Sequence, residues 1–329
     1  MNSECKIDLS FLTWNIYLGT DFTPLINASP EQIPERVTQV FRLFLATNIP
    51  IRAKAIAREI ESEKPDFIGL QEAVRWELII PTFGTVTYDF IDILLEELEE
   101  RGLNYEVAAQ NKGFEGELPD SNGNLVRFLD KDVILVRKDK GFKVKRRHEA
   151  NFQTNLTVPI GGQLLTILRG WSCIDVKKDG YVFRMINTHL EPAVEAIRNA
   201  QANEILQGPA NTLLPVIITG DLNAPPNSTT YNLFINEGFH DVWSQVGKGQ
   251  GFTALQNPDL LNAVSLLNRR IDYILFKNGW KPIEAELVGE SQKDRTKTGL
   301  WPSDHAGVSA RLKLEDEDHH DHHHDESSR

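Results

Sequence analysis

The sequence predicts an α+β fold of layered β-sheets with helices packed outside them. Three observations carry that reading. Strand-like apolar runs recur along the 329 residues, helical patterns fall between some of them, and one neighbouring pair is joined by a tight turn. A two-residue turn joins antiparallel strands, so a purely parallel sheet is excluded. No Gly/Ser/Pro-rich linker and no repeat divides the chain. One domain is expected over 1–313, followed by a disordered acidic, His-rich tail over 314–329.

The first strand is IDLSFLTWNI. The helical patterns PEQIPERVTQVFRLFLAT and IRAKAIAREIES follow, and then the strand DFIGLQ. YDFIDILLEELEERG is a helix with Gly102 closing its C-terminus, where a left-handed residue is favoured. AAQNKGFEGELPDSNGNLVRFLD reads as a long polar loop and DVILVR as a strand. LLTILRGWSCIDV reads as one strand, and CIDVKKDGYVFRMI as a hairpin turning at Asp179-Gly180. A helix, VEAIRNAQANEILQG, follows YVFRMINTHL, and the strands PVIITGD, RIDYILF and AGVSARLKL complete the domain.

The net charge of −12 is uneven: the last fifteen residues, EDEDHHDHHHDESSR, carry −6 and the body the other −6. That balance shows none of the basic surface that collects nucleic-acid phosphates, so nucleic acid is not indicated as a partner. The tail can bind Zn²⁺, Ni²⁺ or Cu²⁺ loosely, or be a plain solvated extension. Cys5 and Cys173 fit no disulfide framework or zinc spacing and read as inert thiols. No apolar run approaches the ~20 residues of a membrane span. No basic segment followed by an apolar one opens the chain, so a cytoplasmic protein is expected, or a secreted one if the chain was trimmed, and a monomer is expected.

Polar side chains gather where the strands end. In VIITGDLNAPP a buried strand runs into Asp221, Leu222 and Asn223. Burying such groups unpaired is costly, and alternation puts the two on one face, aimed outward. LTWNI delivers Asn15, PDFIGLQE delivers Glu72, MINTHLEP delivers His189, RIDYI delivers Asp272, and WPSDHAGV delivers Asp304 and His305. Singly, each has a structural explanation: a turn-former, a helix cap at Glu72, a core histidine, or an ion pair of Asp272 with Arg269 or Arg270. Together they supply oxygen donors for a hard divalent cation, histidines that move protons near neutrality, and carboxylates to orient them. That combination suits metal-assisted hydrolysis of a phosphate ester.

The ordered segments TWN, LQE, NTHLE, GDLN, RIDY and SDHAGV, spread over residues 13 to 310, resemble the endonuclease/exonuclease/phosphatase superfamily. The resemblance implies a four-layer α/β/β/α sandwich with its site at one end of two packed mixed sheets, and dependence on Mg²⁺ or Mn²⁺. It implies that Glu72 is the principal metal ligand, helped by Asn15 and Asp304, and that Asp221 and Asn223 position the attacking water. His305, oriented by Asp272, would contact the phosphate or act as base, and His189 would serve the phosphoryl oxygens or the leaving group. Asp130 becomes a candidate partner for His189, as an acid is in the deoxyribonuclease branch.

The expected substrate is a small phosphodiester, a phospholipid head group or a nucleotide-derived molecule. The alternatives are a DNA repair phosphodiesterase and a silent phosphate-binding scaffold. Residues 19–52 look like an insertion beside the site, serving either packing or substrate gating. Arg198 and Gln201 share a helix face and are weighed as phosphate contacts against structural roles. Trp76 and Trp301 adjoin motif residues and either pack the core or line a pocket.

Overall fold

The computed structural model describes residues 6–315. Its first large sheet contains β1 (Lys6–Asn15), β2 (Phe67–Gln71), β3 (Arg75–Ile80), β4 (Gly84–Asp89), β5 (Tyr105–Pro119), β6 (Leu125–Arg137), β15 (Trp280–Val288) and β16 (Gly307–Glu315). The strand order is β15-β16-β1-β2-β6-β3-β4, with β5 also paired to β6. The second sheet contains β7 (Lys143–Asn151), β10 (Gly170–Lys178), β11 (Tyr181–His189), β12 (Val216–Asp221), β13 (His240–Asp241) and β14 (Asp272–Lys277), in the order β13-β14-β12-β11-β10-β7. β1 with β2 and β11 with β12 run parallel, and the other pairs are antiparallel, so both sheets are mixed.

Alternation sorts the core into three slabs. Along β1, Ile7, Leu9 and Phe11 face inward and pack with Phe183, Met185 and Ile217 of the second sheet. Leu12 and Trp14 face outward against α1 (Ile33–Ala46), α2 (Ile49–Glu63) and α3 (Phe90–Glu100). On the far side, Ile186 and Ile218 meet Ile205 of α4 (Glu195–Gln207) and Phe234 of α5 (Thr229–Asn236). The result is a four-layer α/β/β/α sandwich, as the resemblance implied.

The inward rows change character toward one end. Below Ile7, Leu9, Phe11 and their partners lies a buried neutral layer of Thr13, Gln71, Asn187 and Thr219. Gln71 Nε2 donates to Asn187 Oδ1 at 2.8 Å and to Thr13 Oγ1 at 3.2 Å, and Thr219 Oγ1 donates to Asn187 Oδ1 at 3.0 Å. The Gln71 and Thr219 donors are satisfied, Gln71 across the sheet interface, which makes their burial tolerable; Gln71 Oε1 is buried without a partner. One step further, the same rows end in Asn15, His189, Asp221 and Asp272.

Several local expectations are corrected. The polar stretch over 108–130 is no loop: it forms most of the β5–β6 hairpin, whose outer half is too exposed to show a clear apolar alternation. LLTILRGWSCIDV divides into β9 (Gln163–Ile167), paired with β8 (Leu156–Ile160) in a small separate sheet, and β10. No helix starts after Glu72; the β3–β4 hairpin does. β16 continues to Glu315, two residues past the expected boundary. The expected hairpin at Asp179-Gly180 forms, with φ of 49° and 87° at its turn. No helix among the described residues is long and apolar enough to cross a membrane. Cys5 and the metal-binding reading of the His-rich tail lie outside the described residues.

Candidate active site

The parallel pairs and their antiparallel neighbours bring the polar strand ends to one rim. Asn15, His189 and Asp221 end β1, β11 and β12, and Glu72 follows β2. Asp272 opens β14 directly opposite Asp221, and Asp304 and His305 precede β16. Chain direction alone therefore collects residues 290 positions apart.

Asn15 bridges two acids. Its Nδ2 donates to Glu72 Oε2 at 2.5 Å and to Asp221 Oδ2 at 3.0 Å, while its Oδ1 accepts from the Tyr17 N–H. Asn15 thus turns its NH₂, not its oxygen, toward the carboxylates, and would have to flip to become a metal donor. Glu72 sits at φ 54°, a left-handed conformation that costs a non-glycine residue about 1–3 kcal/mol and recurs at functional sites. It is held there by the Leu18 N–H on Oε1 at 2.9 Å and by its own N–H donating to Asp132 Oδ1 at 3.2 Å.

Asp221 is the hub. Its Oδ2 lies 3.3 Å from His189 Nε2 and 3.7 Å from His305 Nε2. His305 Nδ1 bonds Asp272 Oδ2 at 2.8 Å, and its Nε2 is 3.9 Å from Asp304 Oδ1. Asp304 and His305, adjacent in sequence, reach the same cluster because the chain turns before the strand begins. Glu72, His189 and Asp221 offer ligand atoms all within 4.8 Å of one another, as do Asp221, Asp272 and His305.

Charge and burial set the protonation states. Burial alone would neutralise His189, but the Asp221 carboxylate overrides it and holds the imidazole up at about 9. His305 is likewise held well above its usual value against burial, by Asp272 and Asp221. Burial would raise the Asp221 carboxyl, yet the two histidines keep it well below the usual carboxylate range. Asp304 behaves oppositely: burial pushes it up to about 7 against His305, with the Glu72 charge adding to the rise. Its buried Oδ1 accepts no hydrogen bond. A cation would supply the missing partner of Asp304 beside the Glu72 carboxylate, so the donor set fits a hard divalent ion.

Asn223 lies beyond the strand, at φ 49°, so alternation does not govern it. Its N–H donates to Asp221 Oδ1 at 3.1 Å and its Nδ2 to Leu190 O at 2.7 Å, which pins the turn after β12 to the one after β11. Asp272 is no arginine partner, since Arg270 pairs with Asp241 at 2.6 Å. Asp130 Oδ1 and His189 Nδ1 are both buried and without hydrogen-bond partners, so that pair is not hydrogen-bonded; Asp130 acts on His189 by charge alone. Arg198 donates to Glu191 O, Pro192 O and Thr230 Oγ1, and Gln201 Oε1 accepts from the Glu191 N–H at 2.8 Å, so both brace the loop after His189; Gln201 Nε2 also donates to Thr154 O. Trp301 is fully buried. Cys173 is buried too, its thiol pushed up to about 12 by that burial, which fits an inert role.

Sequence reasoning missed Arg52, which is fully buried. It donates to Thr47 O, Ile16 O, Tyr17 O and Pro302 O at 2.8–2.9 Å, tying the loop after Asn15 to the loop before Asp304. Nothing in IRAKAIAREIES distinguishes it from an exposed helix arginine. Ser303 was missed too, although it stands beside Asp304 in SDHAGV: its Oγ donates to Asn15 O at 2.6 Å and accepts from the His305 N–H.

A family model described as the Endonuclease/Exonuclease/phosphatase family matches residues 12–305. No curated protein matches the chain. Among solved structures, a family protein from Bacteroides thetaiotaomicron is 20% identical with a TM-score of 0.60, covering 98% of this chain and 100% of its own. A mannosyl-6-phosphatase from the same species is 18% identical with a TM-score of 0.55, covering 92% and 99%. D. rerio TDP2, complexed with a single-strand DNA product, is 20% identical with a TM-score of 0.55, covering 93% and 98%.

Proposed function

The chain belongs to the endonuclease/exonuclease/phosphatase family, and from that premise we propose that it is a metal-dependent phosphoesterase that hydrolyses a small phosphodiester or phosphomonoester with an activated water. The observation that carries this reading is the convergence of Glu72, His189, Asp221, Asp272 and His305 at one end of the two sheets. Glu72 and Asp304 would hold Mg²⁺ or Mn²⁺, with Asn15 completing the site by a flip of its amide. The ion would polarise the phosphoryl oxygens and neutralise charge that develops on them.

Asp221, kept ionised, accepts a hydrogen bond from the attacking water and takes its proton as the new P–O bond forms. His305 is a poor base while protonated; aimed by Asp272, it donates to a nonbridging oxygen instead. His189, also protonated near neutrality, donates toward the departing ester oxygen as the old P–O bond breaks. Asn223 acts through the turn it fixes.

The net negative body favours a small substrate over duplex DNA, whose non-specific binding needs many Lys and Arg contacts. Hydrolysis of bis-p-nitrophenyl phosphate with Mg²⁺ or Mn²⁺ tests the activity, and sphingomyelin, inositol phosphates and plasmid DNA test the class. Glu72→Gln keeps the shape and removes charge, so turnover should fall and the Mg²⁺ titration move to higher concentration. An unchanged titration would sink Glu72 as a ligand.

A further inference from the structure

An apolar cavity of about 280 Å³ opens beside the site and plays no part in the chemistry above. Phe22, Leu25 and Val40, from the segment that looked like an insertion, form one side of it. Leu118 of β5, Phe128 of β6 and Leu165 of β9 form the other. Backbone hydrogen bonds join the insertion to the β8–β9 hairpin, from Asn27 N–H to Pro159 O at 2.8 Å and from Gly161 N–H to Ala28 O at 2.9 Å. Two excursions that belong to neither large sheet therefore wall a partly open, largely apolar space.

The cavity neighbours the candidate site through three residues of its lining. Leu18, in its lining, donates its N–H to Glu72 and accepts through its carbonyl from Trp76 Nε1 at 2.9 Å. Its lining also reaches Asp130 and Arg169, both of which act on the charge of His189. A phosphate between Glu72 and His189 would hold one ester substituent at this mouth.

We propose that the cavity is the subsite for an alkyl chain carried by the phosphate ester, a specificity that rests on the phosphoesterase reading. Alkyl fits better than aryl because the aromatic rings already engage one another: Phe22 stacks on Trp76 at 5.7 Å and meets Phe128 edge-on at 5.1 Å, and Trp76 lies 4.7 Å from Phe128. The rest of the wall is mostly aliphatic. At roughly 30 Å³ for each methylene-sized group, the space takes about nine carbons.

Calorimetric titration of the full chain in Mg²⁺ with alkylphosphonates of two to twelve carbons tests this. Affinity should rise roughly threefold per methylene to about nine carbons and then level off. Leu165→Trp and Leu118→Trp, which fill the cavity from two strands, should each reduce the octyl-over-ethyl preference to below about threefold. Equal affinity at every length in the unaltered protein overturns the subsite, whichever variants fold. Affinity still rising past nine carbons means an open groove drawing on a membrane surface, and it overturns the enclosed site as well. Tighter binding of benzylphosphonate than of heptylphosphonate overturns the alkyl assignment. Bis-p-nitrophenyl phosphate separates the two readings: chain-length-dependent binding without hydrolysis removes the activity and leaves the cavity, and hydrolysis without chain-length dependence does the reverse.

Discussion

At the residue scale, Arg52 shows how an unremarkable position controls the site. Its guanidinium meets four carbonyls in three loops, and burial lowers its pKa to about 10, still charged near neutrality. Arg52→Met should cost about 3–5 kcal/mol, because it leaves buried acceptors unpaired. A denaturation midpoint within error of the parent would refute that. Asp221→Asn tests the hub: turnover should drop by about 10²–10⁴. His189 should also lose its elevated pKa, which imidazole NMR reads directly. A destabilised but fully active variant would mean that Asp221 only ends a strand. These two residues also mark what the sequence revealed. Asp221 was legible because a carboxylate after VIIT contradicts burial, whereas Arg52 sits on a helix where arginine is ordinary. Its four partners come from positions 16 to 302, and no local pattern announces them.

At the element scale, the strands carry a gradient from apolar through neutral polar to charged side chains along their inward rows. That gradient was readable wherever a strand alternated cleanly, as in β1, β11 and β12. It was unreadable in β5, whose polar outer half resembles a loop, and in β7, which is mostly exposed. Asn223 was read as part of a strand that had already ended. The neutral layer needs the sheets to approach closely, and Gly69 of β2 permits this: a Cβ there would lie 2.1 Å from Thr219 Oγ1 and 2.6 Å from Asn187 Oδ1. Gly69→Ala should therefore cost about 1–3 kcal/mol through overpacking and disturb the hydrogen bonds beneath His189 and Asp221. Urea titration measures the cost. A neutral result would show that the sheets can part without penalty.

At the scale of the whole molecule, four layers bury a rim of acids that repel one another, and folding must bear that repulsion wherever no cation offsets it. Asp304 gives the effect a pH signature. Its carboxyl is raised in the fold to about 7 from an ordinary 3.8, so it favours the folded state only while protonated. Without metal, its contribution to stability is full below about 3.8 and is lost as pH rises through about 7. A divalent ion needs the ionised form, so below pH 7 it must displace a proton, and its apparent affinity should weaken about tenfold per pH unit. Ligand-linked stabilisation follows affinity. Saturating Mg²⁺ at pH 8 should thus raise the melting temperature more than the same concentration at pH 5.5. Mg²⁺ is the proper probe, because an oxygen-seeking ion ignores histidine-rich segments that would capture Ni²⁺ or Zn²⁺. Asp304→Asn should flatten the difference, since no proton then competes. An equal shift at both pH values in the parent protein would mean that Asp304 is not coupled to the ion, and the donor set would have to be sought around Glu72, His189 and Asp221 instead.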